Sequence, residues 1–363
     1  MRIPPSLQEA IEICIDRAVP FFACRRPDEA DVAFGAQLWG DVLTTAPLSD
    51  CARREGFLLH PFDTKVLPMT FISPQITLDK PDGWNDILSR PSMPLPTCAL
   101  PRSSQEMYMS QADRVITALQ RGDLRKVVLS RVSSVPCSPQ ERVADWFDRL
   151  TILYPQAFVF LVYIPGVTLW AGASPELFLQ RRDDGWRTYS LAATKPVTDT
   201  TPWGDKEIEE QQIVTDYIHD VIHRTTGIEP HVSPLCERVA GRVKHLCTTL
   251  FLPTSCDDGV IDALVARMHP TPAVGGFPRD EALSFIADVE LHDRRYYTGY
   301  VGYFSGTDHY DLFVNLRSME LSHGRADLYV GGGLTARSVA GDEWRETCIK
   351  SSTMLDIINS QKQ

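Results

Sequence analysis

The segment from Phe158 to Ala193 restricts the fold more than any other part of the chain. "FVFLVYIPGVTLWAGA" is rich in β-branched and aromatic residues on both sides of a Pro-Gly pair. "LFLQRRDDGWRTYSLAA" repeats the arrangement around Asp-Asp-Gly. Short apolar runs broken by turn residues predict strands, here four of them in two turn-connected pairs. Further strand signals lie in "KVVLSRV" (126–132), "YYTGYVGYFSGTDHYDLFVNLRSMEL" (296–321, a hairpin) and "ADLYVGGGLTA" (326–336, a strand running into glycines).

Helical patterns punctuate these strands without strict alternation. "SSQEMYMSQADRVITALQRGD" places Ala112, Val115, Ile116 and Leu119 on one stripe, with Ser104 in position to cap it. "EIEEQQIVTDYIHDVIHRTTG" predicts a helix that stops at Gly227, and "VIDALVARM", "RDEALSFIADVEL" and the C-terminal segment add three more. Runs of strands interrupted by helices indicate an α+β class. The proline-rich stretch Ser89–Ser104 looks like a connector. Residues 1–105 carry no recognisable motif and are expected to pack into the same domain as residues 106–363.

The net charge of −11 opposes general affinity for nucleic acid or an anionic membrane surface. No apolar run approaches the roughly 18 residues of a membrane span. "MRIPPSLQEAIEICIDRAV" carries Glu and Asp within its apolar part, unlike a signal peptide. Nine scattered cysteines without a C-x-x-C pair fit a reducing compartment, so a cytoplasmic location is expected.

Two acidic helices stand out. Glu207 and Glu210 continue a stripe through Val214, Tyr217 and Val221. In "GDEWRETCIK", Glu343, Glu346 and Lys350 border a stripe of Trp344, Cys348, Ser351 and Leu355. Each set fits a solvated face, where the Glu346–Lys350 pair is worth about 0.3–0.5 kcal/mol. Facing each other across a cleft, the same carboxylates suit a hard divalent cation. "HDVIH" spaces His219 and His223 like a zinc helix, but Asp220 follows the first histidine and no third ligand is apparent. Glu176 in "ASPEL" fits a surface turn or, with its pKa raised by burial, a general acid. Lys126 opens an apolar strand and is either exposed or, if desolvated, a base. The glycines of "YVGGGLTA" suit an anion nest or a bulge. His269, before a proline, has a structural hydrogen bond as its simplest role.

Read together, "KVVLSRV", "GASPELFL", "SLAATKP", "KEIEEQQIV", "KHLCTTL", "MHPTPAVGGFPRDEAL", "HDRRYYTGYVGYF", "NLRSMEL", "YVGGGLTA" and "EWRETCIKSSTML" resemble the chorismate-utilising enzymes. They occur in that family's order and cover about residues 120–357. The resemblance implies two packed antiparallel sheets flanked by helices. It implies Mg²⁺ at the base of a cleft, with Glu210 and Glu346 as direct ligands and Glu207 and Glu343 holding the metal's waters. It assigns Arg317 and Lys350 to substrate carboxylates, and the Gly331 backbone to the side-chain carboxylate. Ala192, Thr194 and His269 are the remaining expected substrate contacts.

The branch of the family rests on two positions. Lys126 stands where a lysine accompanies water as nucleophile. Ala192 stands where the aminodeoxychorismate branch has a nucleophilic lysine. The resemblance therefore implies a hydroxymutase. Lys126, deprotonated by burial or a cationic neighbour, takes a proton from water attacking C2 of chorismate. Glu176 protonates the departing C4 hydroxyl, giving isochorismate for menaquinone or siderophore biosynthesis. Salicylate synthase is the alternative, and a non-catalytic chorismate-binding relative a further one. No glutamine amidotransferase subunit is expected, and the chain is expected to be a monomer. Ala193 departs from a glycine common in the family, which bears on the local approach of backbone to substrate.

Overall fold

The computed structural model describes residues 5–79, 82–97, 103–241, 243–253 and 258–360. Two sheets form the centre, and every neighbouring pair of strands in them is antiparallel. The eight-stranded sheet runs in the order Gly276–Phe277, Lys126–Pro136, Arg325–Leu334, Ser318–Ser322, Thr168–Ser174, Phe158–Ile164, Phe21–Arg25, Val32–Ala36. The ten-stranded sheet runs His231–Val232, Val243–Pro253, Gly185–Pro196, Leu177–Arg182, Tyr310–Val314, Tyr300–Ser305, Glu55–His60, Met69–Ile72, Leu43–Thr44, with Cys236–Ala240 paired beside Val243–Pro253. This is the expected α+β architecture.

Side-chain alternation explains the layering. Phe158, Phe160 and Val162 point into the core between the sheets, where Phe158 stacks on Phe313 of the other sheet at 4.6 Å. Val159, Leu161 and Tyr163 point the other way, onto the helices Leu7–Asp16, Pro139–Leu153 and Ala340–Ile358. Both faces of that strand are buried, which is why its sequence is apolar throughout. The helices Asp205–Thr226 and Asp258–Met268 cover the outer face of the second sheet through Val214, Ile218, Ile222, Ile261 and Leu264.

The motif-poor N-terminal region contributes to both sheets. Phe21–Arg25 pairs with Phe158–Ile164, and Glu55–His60 pairs with Tyr300–Ser305. The connector Ser89–Ser104 lies partly outside the described residues.

The local signals hold in most places. Ser104 Oγ accepts from Met107 N at 3.1 Å, and Gly227 ends its helix at φ 72°. The 296–321 segment differs from a simple hairpin. Tyr300–Ser305 and Tyr310–Val314 form one, but the chain then crosses to the other sheet and forms Ser318–Ser322. Asn315 fixes the crossing by donating to Tyr296 O and accepting from Trp170 Nε1, and Arg317 turns the chain at φ 48°. The inward faces of both acidic helices are broader than their stripes. Ile218 and Ile222 are buried beside Val214, with Tyr217 and Val221 half-buried against the same core; Thr347 and Met354 are buried beside Ser351, while Cys348 is exposed.

Candidate active site

The cleft forms where the chain passes between the sheets. Pro175 and Glu176 link Thr168–Ser174 of the first sheet to Leu177–Arg182 of the second. Leu316 and Arg317 make the return crossing. All four line one cavity of about 700 Å³. Ala192, Thr194, Glu210, Gly331, Glu346 and Lys350 line it too. Lys126 is not on its wall but is paired with it, its ammonium 2.9 Å from Glu210 Oε1.

The three glycines of Arg325–Leu334 clear space for carboxylates. A Cβ on Gly333 would sit 2.5 Å from Glu210 Oε1 and 2.9 Å from Lys126 Cε. One on Gly332 would sit 3.3 Å from Glu343 Oε2 and 3.5 Å from Glu346 Oε1. The glycine run thus brings three glutamates from two helices to one stretch of strand. Each carries a lysine: Glu210 has Lys126, Glu346 has Lys350 at 2.5 Å, and Glu343 has Lys206 at 3.3 Å. The carboxylates converge without closing, since among the described residues no group of three or more His, Cys, Asp or Glu is arranged to hold a metal ion. Glu343 Oε2 is buried with no hydrogen-bond partner among those residues. Burial, then the neighbouring Glu346, pushes the Glu343 carboxyl up to about 7, against the pull of Lys206.

The other end of the cleft is cationic. Arg317 makes two long contacts, Nη1 to Lys350 O at 3.4 Å and Nη2 to His245 Nε2 at 3.5 Å. Burial draws its pKa below the usual arginine value. Lys350 Nζ also donates to Gly331 O at 3.0 Å. Among the described residues the Arg317 guanidinium makes only those two long contacts, so it and the Lys350 ammonium, which is paired with Glu346, are the cleft's donors for carboxylates.

Glu176 is 4 % exposed. Burial raises its pKa to about 8, against the opposing pull of Lys126 and Lys350, so it holds a proton at neutral pH. Lys126 is buried, and its neighbour is the Glu210 carboxylate rather than a cation.

Three expected residues stand apart. Glu207 is in the first turn of Asp205–Thr226, and its carboxylate accepts from Gly204 N at 2.9 Å. Glu343 lies behind Gly332 rather than on the cleft wall. His269 is outside this cleft. Its ring packs edge-on against His60 and Tyr300, with Nε2 3.3 Å from Phe62 O, and it lines a separate groove. Burial lowers its pKa to about 3. That segment meets the cleft through Ala273 and Val274 instead. His219 and His223 both pair with Glu229 near the surface, which accounts for their spacing.

The structure also brings in His245, a residue with no role assigned above. It lies in "KHLCTTL" on Val243–Pro253, and its Nδ1 sits 2.9 Å from Ala193 O. Burial, with the Arg317 and Lys350 charges, lowers its pKa to about 3. The neutral ring donates from Nδ1 and offers Nε2 to Arg317. A histidine inside an apolar strand was the only available signal.

Ala193 sits at an irregularity in the pairing of Gly185–Pro196 with Val243–Pro253, at φ 57°. The left-handed region costs a non-glycine residue roughly 1–2 kcal/mol. Ala193→Gly is expected to stabilise the protein by about 0.5–1 kcal/mol after the extra chain entropy of glycine. Urea denaturation checks this, and a less stable variant would show that the strain is absent.

Comparison with known proteins gives the family and the fold. Residues 89–356 match the family model for chorismate binding enzyme. Over 290 residues the chain is 31% identical to the salicylate biosynthesis isochorismate synthase of Pseudomonas aeruginosa, covering 75% of this chain and 59% of that one. It is 27% identical to isochorismate synthase EntC of Escherichia coli, covering 71% and 68%. The fold is that of MenF, the menaquinone-specific isochorismate synthase from Escherichia coli, with a TM-score of 0.79 at 21% identity over 98% of this chain and 92% of that one. With most of its length matched by the family model, and in agreement with the ordered motifs, the chain belongs to the chorismate-binding enzyme family.

Proposed function

We propose that the protein is an isochorismate synthase, a hydroxymutase acting on chorismate with Mg²⁺. The observation that carries this reading is the buried Glu176 sharing one cleft with Arg317, Lys350 and Glu210, the last of which holds Lys126 at 2.9 Å. Arg317 and Lys350 bind the substrate carboxylates. Lys126 takes the proton from the water that attacks C2, for which its ammonium must first release a proton to solvent and part from Glu210. The double bonds shift, and Glu176 gives its proton to the C4 oxygen, which leaves as water. One water enters and one departs, so the net change is an isomerisation. Ala192 offers no amine nucleophile, which favours water over the amine-using chemistry.

The acidic end fits Mg²⁺. It supplies carboxylate oxygens, the donors a hard cation prefers, with an orphaned oxygen on Glu343 and glycines that leave room. Glu210 and Glu346 would bind it directly, with Glu343 beside them; Glu207 would join only by releasing Gly204. Bound there, the ion supplies charge that polarises the substrate's conjugated ring. The product would feed menaquinone or siderophore synthesis in the cytoplasm, from a monomer working without an amidotransferase subunit. No helix among the described residues is long and apolar enough to cross a membrane.

Incubation with chorismate and Mg²⁺ tests the reading. Isochorismate without pyruvate is the expected product. Stoichiometric salicylate and pyruvate would instead make the protein a salicylate synthase, and unchanged chorismate would leave a binding protein. Glu346→Gln is expected to raise the Mg²⁺ concentration at half-maximal activity by about tenfold or more. An unshifted titration would remove Glu346 from the ligand set.

A further inference from the structure

Lys206 stands at the acidic end of the cleft yet has no part in the reaction above. It is the second residue of the helix Asp205–Thr226, flanked by Asp205 and Glu207. A cation there opposes the helix dipole, whose N-terminus favours acids. Something other than helix stability must therefore account for its position. Its Nζ lies 3.3 Å from Glu343 Oε1, and Glu343, Glu210 and Glu346 all act on it electrostatically.

The three Glu–Lys pairs are not equivalent. The Lys126 side chain is 1% exposed and that of Lys350 is 15% exposed, and the reaction proposed above uses both. Lys206 is 33% exposed, is not part of the cleft wall, and hangs on a flexible stem at a helix end. It can leave for solvent without disturbing the substrate groups. Its partner Glu343 is 4% exposed and cannot follow it. A buried carboxylate stripped of its counter-ion is costly unless another cation replaces it.

We propose that Lys206 is a resident counter-ion of the glutamate cluster and that a divalent cation binding there displaces it into solvent. This rests on the Mg²⁺ site proposed above. Metal affinity is then set by a competition between the ion and an amine belonging to the protein. Lys206 acts on the metal site and not on the substrate, so it is a positioning residue.

The test is Mg²⁺ binding to the full chain without chorismate, measured by titration calorimetry. Lys206→Met should bind Mg²⁺ roughly tenfold more tightly than wild type, about 1.4 kcal/mol. Lys206→Arg keeps the charge and should stay within about threefold of wild type. Acetylation of Lys206 in the wild type, followed by mass spectrometry, should speed up when Mg²⁺ is added. Unchanged or weaker binding by Lys206→Met overturns the proposal, as does labelling that Mg²⁺ leaves unaltered. The labelling needs no variant, so a misfolded Lys206→Met does not rescue the idea. If wild type and Lys206→Met both fail to bind Mg²⁺, the metal site itself falls along with the counter-ion. Binding that is equal in the two removes the counter-ion alone.

Discussion

Replacing Lys126 with alanine is expected to lower turnover of chorismate by about 10²–10⁴-fold, the usual worth of a general base. It should also destabilise the protein. Lys126 is 1% exposed and is held 2.9 Å from Glu210, itself buried. Removing one partner of a buried pair typically costs roughly 3–5 kcal/mol. Lost activity in the alanine variant would therefore mix two effects, and Lys126→Arg separates them. Arginine preserves the charge for Glu210 but stays protonated and offers no base. The expected result is a variant close to wild type in urea denaturation and as inactive as the alanine variant. Full activity in either would exclude Lys126 as the base.

Glu176→Gln is expected to have a comparable effect on rate, about 10²–10⁴-fold, with the opposite effect on stability. The amide keeps the shape but cannot deliver a proton. Wild-type activity should fall as the pH rises through about 8, where Glu176 loses its proton. The residual activity of the variant should lack that descending limb. The stability sign follows from the raised pKa. An unfolded glutamate ionises in the usual carboxyl range, whereas the folded one stays protonated to about 8. Stability associated with the protonated form is complete below the unfolded value and is lost as pH rises towards about 8. The loss is roughly 1.4 kcal/mol per pH unit within that window. The glutamine variant should thus gain on wild type between pH 5 and pH 8 in chemical denaturation. Equal pH dependence in both proteins would mean that Glu176 is ionised in the fold and is not the acid.

The protein keeps a proton on the buried Glu176 carboxyl although the charges of Lys126, from a strand, and Lys350, from the C-terminal helix, oppose it. Removing the acid should improve stability while destroying activity, as expected where a group is held against the stability of its own fold, whereas removing Lys126 costs both.

Much of this was legible in the chain. Apolar runs around Pro-Gly and Asp-Asp-Gly marked the strands Phe158–Ile164, Thr168–Ser174, Leu177–Arg182 and Gly185–Pro196. Ser104 and Gly227 marked helix ends, because capping chemistry is local. The ordered motifs pointed to the family and to most residues of the cleft. Less was legible wherever a side chain's surroundings come from distant segments. The inward faces of the acidic helices were only partly legible: Val214 and Ser351 are buried as expected, but Ile218, Ile222, Thr347 and Met354 share those faces and Cys348 is exposed, since an amphipathic stripe does not say how a helix rolls on its sheet. His269 was placed with the substrate because its segment does reach the cleft, but through Ala273 and Val274.

The sequence by itself determined the α+β class, the turn-connected strands and the set of ionisable groups available for chemistry. Those follow from short-range periodicity and from residue type. Only the tertiary structure decided that Pro175–Glu176 and Leu316–Arg317 are neighbouring short crossings between sheets, so that an acid and an arginine meet in one cleft. Only it decided that three glycines would let glutamates from two helices converge, each with its own lysine. Burial and charge proximity are sums over the whole fold. The protonation of Glu176 and the pairing of Lys206 therefore have no local signature in the chain.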